Sequence, residues 1–248
     1  MKRLLILIII VLKGILPVTA QEGNGMERAA LLLKKAEQSY RSKPLAFTVK
    51  FTYSNEHTPG NILDSLSGSV EMDGSRYWYL LDSTETISNG KYNIILFRED
   101  RQMLISPVKA DSMAGQNPVA YSSALLQKAG ATGCQVSAEG RQKVLQVSFS
   151  EASEFKTVSI YIDTVVNRIT AMRYVVKTTS LMDPGGEPEQ LEGYEEYAIV
   201  KALYYDYREI KPGSERFNEC RFFIKEGEEY TPAADYKEYR ILFTTPKQ

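Results

Sequence analysis

Between residues 66 and 106 the chain alternates short apolar, aromatic and β-branched runs with turn dipeptides, and this stretch sets the pattern for the rest. GSVEM at 68–72, RYWYLL at 76–81, TETIS at 84–88 and YNIILF at 92–97 contain no proline. They are punctuated by Asp73-Gly74, Asp82-Ser83, Asn89-Gly90 and Glu99-Asp100. Asn-Gly and Asp-Gly reach the positive φ angles that two-residue hairpin turns demand, so each pair predicts a reversal of the chain. The expectation is an antiparallel meander. Trp78, the only tryptophan, sits mid-strand, where it can serve as a core anchor or as part of an apolar ligand surface.

Upstream, residues 26–41 have helical spacing, with Ala29, Leu32, Leu33, Ala36 and Tyr40 on one face and Arg28, Lys34, Lys35 and Glu37 largely opposite. Pro44 stops this helix. Phe47, Val49, Phe51 and Tyr53 then alternate with Thr48, Lys50 and Thr52, the period of a half-buried strand, and residues 57–61 form a turn.

Downstream, residues 107–118 form a long polar connection and 119–128 predict a short helix, together a covering segment. From Gly133 the period of two returns: Leu145, Val147 and Phe149, then Val158, Ile160 and Ile162, then Met172, Tyr174 and Val176, with turns near 139–140, 151–154 and 163–167. Residues 181–193, with Pro184, Gly185, Gly186, Pro188 and several acids, predict an exposed loop. Strands at 194–207, 217–224 and 236–243 bring the count to about a dozen, which suits one highly curved sheet or an incomplete barrel better than a sandwich.

Composition narrows the class. The chain has 248 residues, 43% hydrophobic and 25% charged, ordinary values for a soluble globular protein and unlike disordered or integral membrane proteins. No low-complexity linker divides it, so one domain is expected. Lys2 and Arg3 precede an apolar run at 4–12, followed by Pro17 and by Val18-Thr19-Ala20, the pattern of a signal peptide cleaved after Ala20. The mature domain is then 21–248. With no cysteine at the cleavage region, lipid attachment is unsupported and a soluble protein outside the cytoplasm is expected.

Cleavage removes Lys2, Arg3 and Lys13 and no acid, leaving 27 basic against 31 acidic residues and a formal charge of −4. That balance argues against nucleic acid as a partner. Cys134 and Cys220 are the only cysteines, and an exported compartment predicts one disulfide between them.

The catalytic inventory is thin. His57 is the single histidine and lies in a turn beside Thr58-Pro59-Gly60, which fits a solvated side chain and excludes the usual multi-histidine zinc sites. No Gly-x-Ser-x-Gly elbow, Walker-type loop or Cys-x-x-Cys occurs. The pairs Glu99-Asp100, Glu195-Glu196 and Glu228-Glu229 read as solvated surface. The later tyrosines, Tyr194, Tyr197, Tyr204, Tyr205, Tyr207, Tyr230, Tyr236 and Tyr239, suit strands lying between core and solvent, and equally a binding face. Neither a cofactor nor a catalytic residue is expected.

Three stretches in this order, a helix leading into FTVKFTY at 47–53, then GSVEMDGSRYWY at 68–79, then TISNGKYNIILF at 86–97, resemble the periplasmic lipoprotein carrier family, LolA. The hairpin at 160–174 fits the same plan, and the similarity covers roughly residues 26–177. The resemblance implies a mainly β fold: one curved antiparallel sheet forming an unclosed half-barrel, with an N-terminal helix and a short helical lid. Its concave apolar face would receive the acyl chains of lipoproteins, or another lipid, without covalent chemistry. On that basis Phe47, Val49, Phe51, Trp78, Leu80, Ile94 and Leu96 are the candidates for lining the cavity.

The chain departs from the family at Gly74-Ser75-Arg76, where the family commonly has an Arg-Pro pair, so the lid-securing role of that arginine is not carried over to Arg76. The region beyond Leu181 is also longer than in the usual carrier. The rival reading is an envelope interaction or sensor domain that binds a partner protein with the same fold.

Overall fold

The computed structural model describes residues 25–108, 130–181 and 193–243. The expected signal segment at 1–20, the helix at 119–128, nearly all of the connection at 107–118 and most of the loop at 181–193 lie outside them.

Helix α1 (Gly25–Ser42) buries Ala29, Leu33, Ala36 and Tyr40, one stripe at three- and four-residue spacing. Pro44 biases Lys43 away from helical angles, and the chain turns directly into strand β1 (Leu45–Asn55). The meander follows as β2 (Ile62–Asp73), β3 (Arg76–Leu81), β4 (Thr84–Ser88), β5 (Tyr92–Phe97) and β6 (Gln102–Pro107). Gly74 and Gly90 turn it at φ of 64° and 87°, where a side chain would be strained.

After the connection come β7 (Ala131–Glu139), β8 (Gln142–Phe149), β9 (Phe155–Asp163), β10 (Arg168–Lys177) and β11 (Tyr197–Glu209). Strand β11 pairs with both β10 and β1, which joins the two meanders. The result is one sheet in the order β14-β6-β5-β4-β3-β2-β1-β11-β10-β9-β8-β7, with β14 defined below. The two end strands do not pair, so the curved sheet stays open.

The end of the chain differs from expectation. Residues 217–224 are mostly not strand: short 3-10 turns at Glu215–Phe217 and Glu219–Arg221 lead into a small hairpin, β12 (Phe223–Glu226) with β13 (Glu229–Pro232). Ser214 Oγ accepts the Arg216 N–H and Asn218 Oδ1 accepts the Cys220 N–H, so side chains supply partners that a sheet ladder would otherwise give the backbone. Of 236–243, only β14 (Arg240–Phe243) is strand, and it pairs parallel with β6, the one parallel step in the sheet.

Two cores result, one on each face. The first joins α1 to β1, β2 and β8–β11 through residues such as Leu33, Phe47, Met72, Ile160 and Met172. The second lies where the terminal region covers β3–β6: Trp78, Ile87, Ile94 and Ile105 are successive register partners and pack with Phe217, Phe222 and Phe223. Full burial of each such side chain stabilises by about 1.5–3 kcal/mol.

The expected disulfide is absent. Cys134 and Cys220 are free thiols, the first half-buried on terminal strand β7 and the second exposed in the 3-10 turn of the second layer. They sit on separate parts of the fold, and a bridge requires Cα atoms within about 7 Å.

Candidate functional site

The inner face of the sheet holds an open cavity of about 550 Å³. Strand β1 supplies Phe47, Val49, Phe51 and Tyr53, and β2 and β3 supply Ser69, Val70, Tyr79, Leu80 and Leu81. The opposite side is built by Phe155 of β9, Tyr174 and Val176 of β10, and Val200 and Tyr204 of β11, with Glu154, Ser180 and Leu181 completing the lining. A volume of this size suits a small apolar ligand.

Small residues stand opposite two of the lining side chains. Gly68 stands opposite Val49 across β1–β2, and Ala202 stands opposite Phe51 across β1–β11. Gly68 is also required by close approach, since a Cβ there would come within 2.5 Å of the Leu80 carbonyl oxygen. The absent side chain lets β3 close against β2.

At its inner end the cavity rests on an aromatic cluster. The Phe47 ring meets Tyr40 edge-on at 6.1 Å and Tyr207 at 5.0 Å. The Tyr40 and Tyr207 hydroxyls share a hydrogen bond of 2.5 Å, and the Tyr207 hydroxyl also donates to the Ile169 carbonyl at 2.7 Å. Burial pushes the Tyr40 phenol up to about 12 and holds Tyr207 well above its ordinary value, so both remain neutral. The two phenols of this floor are hydrogen-bonded within the protein.

Nearer the opening, burial together with the negative charge of Asp64 and the neighbouring Tyr194 raises the Tyr53 phenol. His57 Nδ1 lies 2.6 Å from Glu195 Oε2, a contact that lowers the Glu195 carboxyl, and Asn55 ties the same loop by donating to the Gly193 carbonyl and accepting the Glu195 N–H. His57 is therefore a loop clamp on the described surface.

The seven residues expected to line one cavity divide between the faces. Phe47, Val49, Phe51 and Leu80 line it, and Leu80 also packs against the second core. Trp78, Ile94 and Leu96 are buried in the second core instead. The Trp78 indole donates to Glu85 Oε1 at 2.6 Å, Glu85 also binds Arg98 at 2.6 Å, and the Arg216 guanidinium covers the ring at 4.1 Å. With every side of the indole occupied, Trp78 is a core anchor.

Sequence reasoning did not single out Tyr79, Phe155 or Val200, and it named Tyr174 and Val176 only as one face of a strand and Tyr204 only among the tyrosines that suit a core–solvent strand or a binding face. Alternation within each strand marks them as facing one side, but only the pairing of β11 with β1 brings that side opposite Phe51.

No protein-family model and no curated protein matches the chain. Among solved structures it is similar to an uncharacterized conserved protein from Thermus thermophilus, at 14% identity, over 88% of this chain and 99% of that one, with a TM-score of 0.46. It is also similar to a LolA superfamily protein from Nitrosomonas europaea, at 10% identity, over 77% and 97% of the two chains, with a TM-score of 0.36. The Pseudomonas aeruginosa MucA/MucB complex matches at 11% identity, over 83% of this chain and 63% of that one, with a TM-score of 0.35. These are likenesses of fold at low identity.

Proposed function

We propose that this protein is a non-catalytic periplasmic carrier that shelters the acyl chains of lipoproteins, or of another lipid, in its open half-barrel. The observation that carries the reading is the cavity of about 550 Å³, walled by aliphatic and aromatic side chains from six strands. Each methylene transferred from water into such a lining gains about 0.8 kcal/mol, so a few carbons suffice for useful affinity without any covalent step. The basic start and apolar run of the first 20 residues support export.

A second reading, an envelope module that binds a partner protein, is favoured by one observation: β7 has mostly exposed residues and, among the described strands, pairs on one side only, a place where a partner strand could add.

The test is native mass spectrometry of the protein purified without detergent from its own periplasm, with extraction of bound lipid. Co-purifying acylated species that disappear in Phe51→Asp are expected. A lipid-free protein that also fails to take up an acylated peptide would remove the carrier reading and leave the partner-binding one.

A further inference from the structure

The groups around the cavity decide what kind of polar end a bound chain can carry. Among the described lining residues Glu154 is the only carboxylate, and no Lys, Arg or His is present. A second carboxylate stands beside the lining, next to Tyr53 on the neighbouring strand. Asp64 is the register partner of the lining residue Tyr53 across β1–β2, and directly opposed residues of an antiparallel pair project to the same face. Asp64 is exposed, and its charge reaches both Tyr53 and Tyr194.

The cations at this end of the sheet are turned to other partners. Lys156 Nζ binds Glu56 at 2.6 Å and lies over the Tyr197 ring, while Lys177 Nζ donates to the Glu151 carbonyl at 3.2 Å. His57 is held by Glu195. Asp64 has only the local bond from the Ser65 N–H, at 2.6 Å, and among the described residues neither Asp64 nor Glu154 forms an ion pair. Among the described residues, the apolar cavity therefore carries negative charge in its lining at Glu154 and beside it at Asp64, neither of them ion-paired.

We propose that the cavity selects amphiphiles whose polar end is cationic or uncharged and discriminates against anionic ones, with Glu154 and Asp64 as the specificity-determining residues. The inference rests on the acyl-chain reading of the cavity. A bound chain leaves its polar end at the opening, where a carboxylate, sulfate or phosphate meets like charge without a basic partner, and an ammonium meets opposite charge. Exposed charges give modest preferences, so the expected difference between chain-matched cation and anion is roughly threefold to tenfold at low salt. Screening should shrink it at about 0.5 M salt.

The test is displacement of a fluorescent acyl probe by dodecyltrimethylammonium, dodecyl maltoside, dodecanoate and dodecyl sulfate, each below its micelle concentration, in low salt. The cationic and neutral chains should displace the probe at roughly threefold to tenfold lower concentration than the anionic pair. The double variant Glu154→Gln, Asp64→Asn should bring the four together, and Glu154→Lys should favour the anions; both positions are exposed, so the fold is retained. Equal affinities in the unmodified protein, a preference for the anions, or a ratio that survives the double variant would overturn the inference while leaving the acyl-chain reading in place. Failure of all four chains and of the probe to bind would remove that reading and the inference with it.

Discussion

Replacing Phe51 by Asp puts the acyl-chain reading at direct risk. Phe51 lies midway along β1, half-buried, opposite Leu66 on β2 and Ala202 on β11, with its side chain in the cavity lining. A carboxylate there keeps its hydration and stops an incoming chain part-way. If about four methylenes are excluded at about 0.8 kcal/mol each, binding loses about 3 kcal/mol, a factor of roughly 200 in Kd. The assay is a titration with a fluorescent acyl probe, accompanied by a thermal melt to show that the variant is folded. Ile94→Ala is the companion: Ile94 is fully buried in the second core, away from the cavity, so the truncation should cost about 2–5 kcal/mol of stability and leave Kd within about twofold. A folded Phe51→Asp protein that keeps its affinity, or an Ile94→Ala protein that loses it, would refute the assignment of the two faces.

Three further outcomes are expected. The Tyr40 phenol is pushed up to about 12 in the fold from an ordinary 10, so the folded state keeps a proton that the unfolded chain releases; this contribution is complete below pH 10 and is lost as pH rises to about 12, at about 1.4 kcal/mol per unit. Urea titrations at about pH 9 and about pH 11 should show a smaller drop for Tyr40→Phe than for the unmodified protein, and an identical drop would contradict the buried placement of Tyr40. Gly68→Ala should destabilise by about 1–3 kcal/mol, because its Cβ would fall 2.5 Å from the Leu80 carbonyl oxygen and push β3 outward; an unchanged denaturation midpoint would show that the strands are less closely apposed. Thiol labelling without reductant should find two reactive groups, Cys220 fast and Cys134 slow, since burial raises the Cys134 thiol and leaves less thiolate; no labelling would indicate a bridge.

Much of the architecture is legible in the chain because its signals are local. Helix 26–41 and strands 76–81, 84–88 and 92–97 are fixed by apolar spacing, by Pro44 and by turn dipeptides, and the observed Gly25–Ser42, Arg76–Leu81, Thr84–Ser88 and Tyr92–Phe97 follow those signals closely. The terminal region is less legible. Its aromatic residues suggest strands, but Ser214 and Asn218 bond to nearby amides and bend 214–222 into 3-10 turns, and the aromatics are used to cover a face of the sheet instead of extending it.

The same distinction governs the cavity. Alternation puts Phe47, Val49 and Phe51 on one face of their strand and Trp78 and Leu80 on one face of theirs, and within a strand that information is complete. How one strand's set relates to the next depends on register: Phe47 pairs with Val70, which pairs with Tyr79, so Trp78 points to the other side. A shift of one residue in either ladder would exchange the faces. Which face is open depends further on a distant terminal segment, since Phe217, Phe222 and Phe223 fill the space over Trp78, while among the described residues none fills the cavity beside Phe51. Local pattern thus determined the strands, the helix and the two-sidedness of the sheet, whereas only the folded chain decided which face is filled throughout and which keeps a cavity beside its core, because burial belongs to contacts between segments that no single stretch contains.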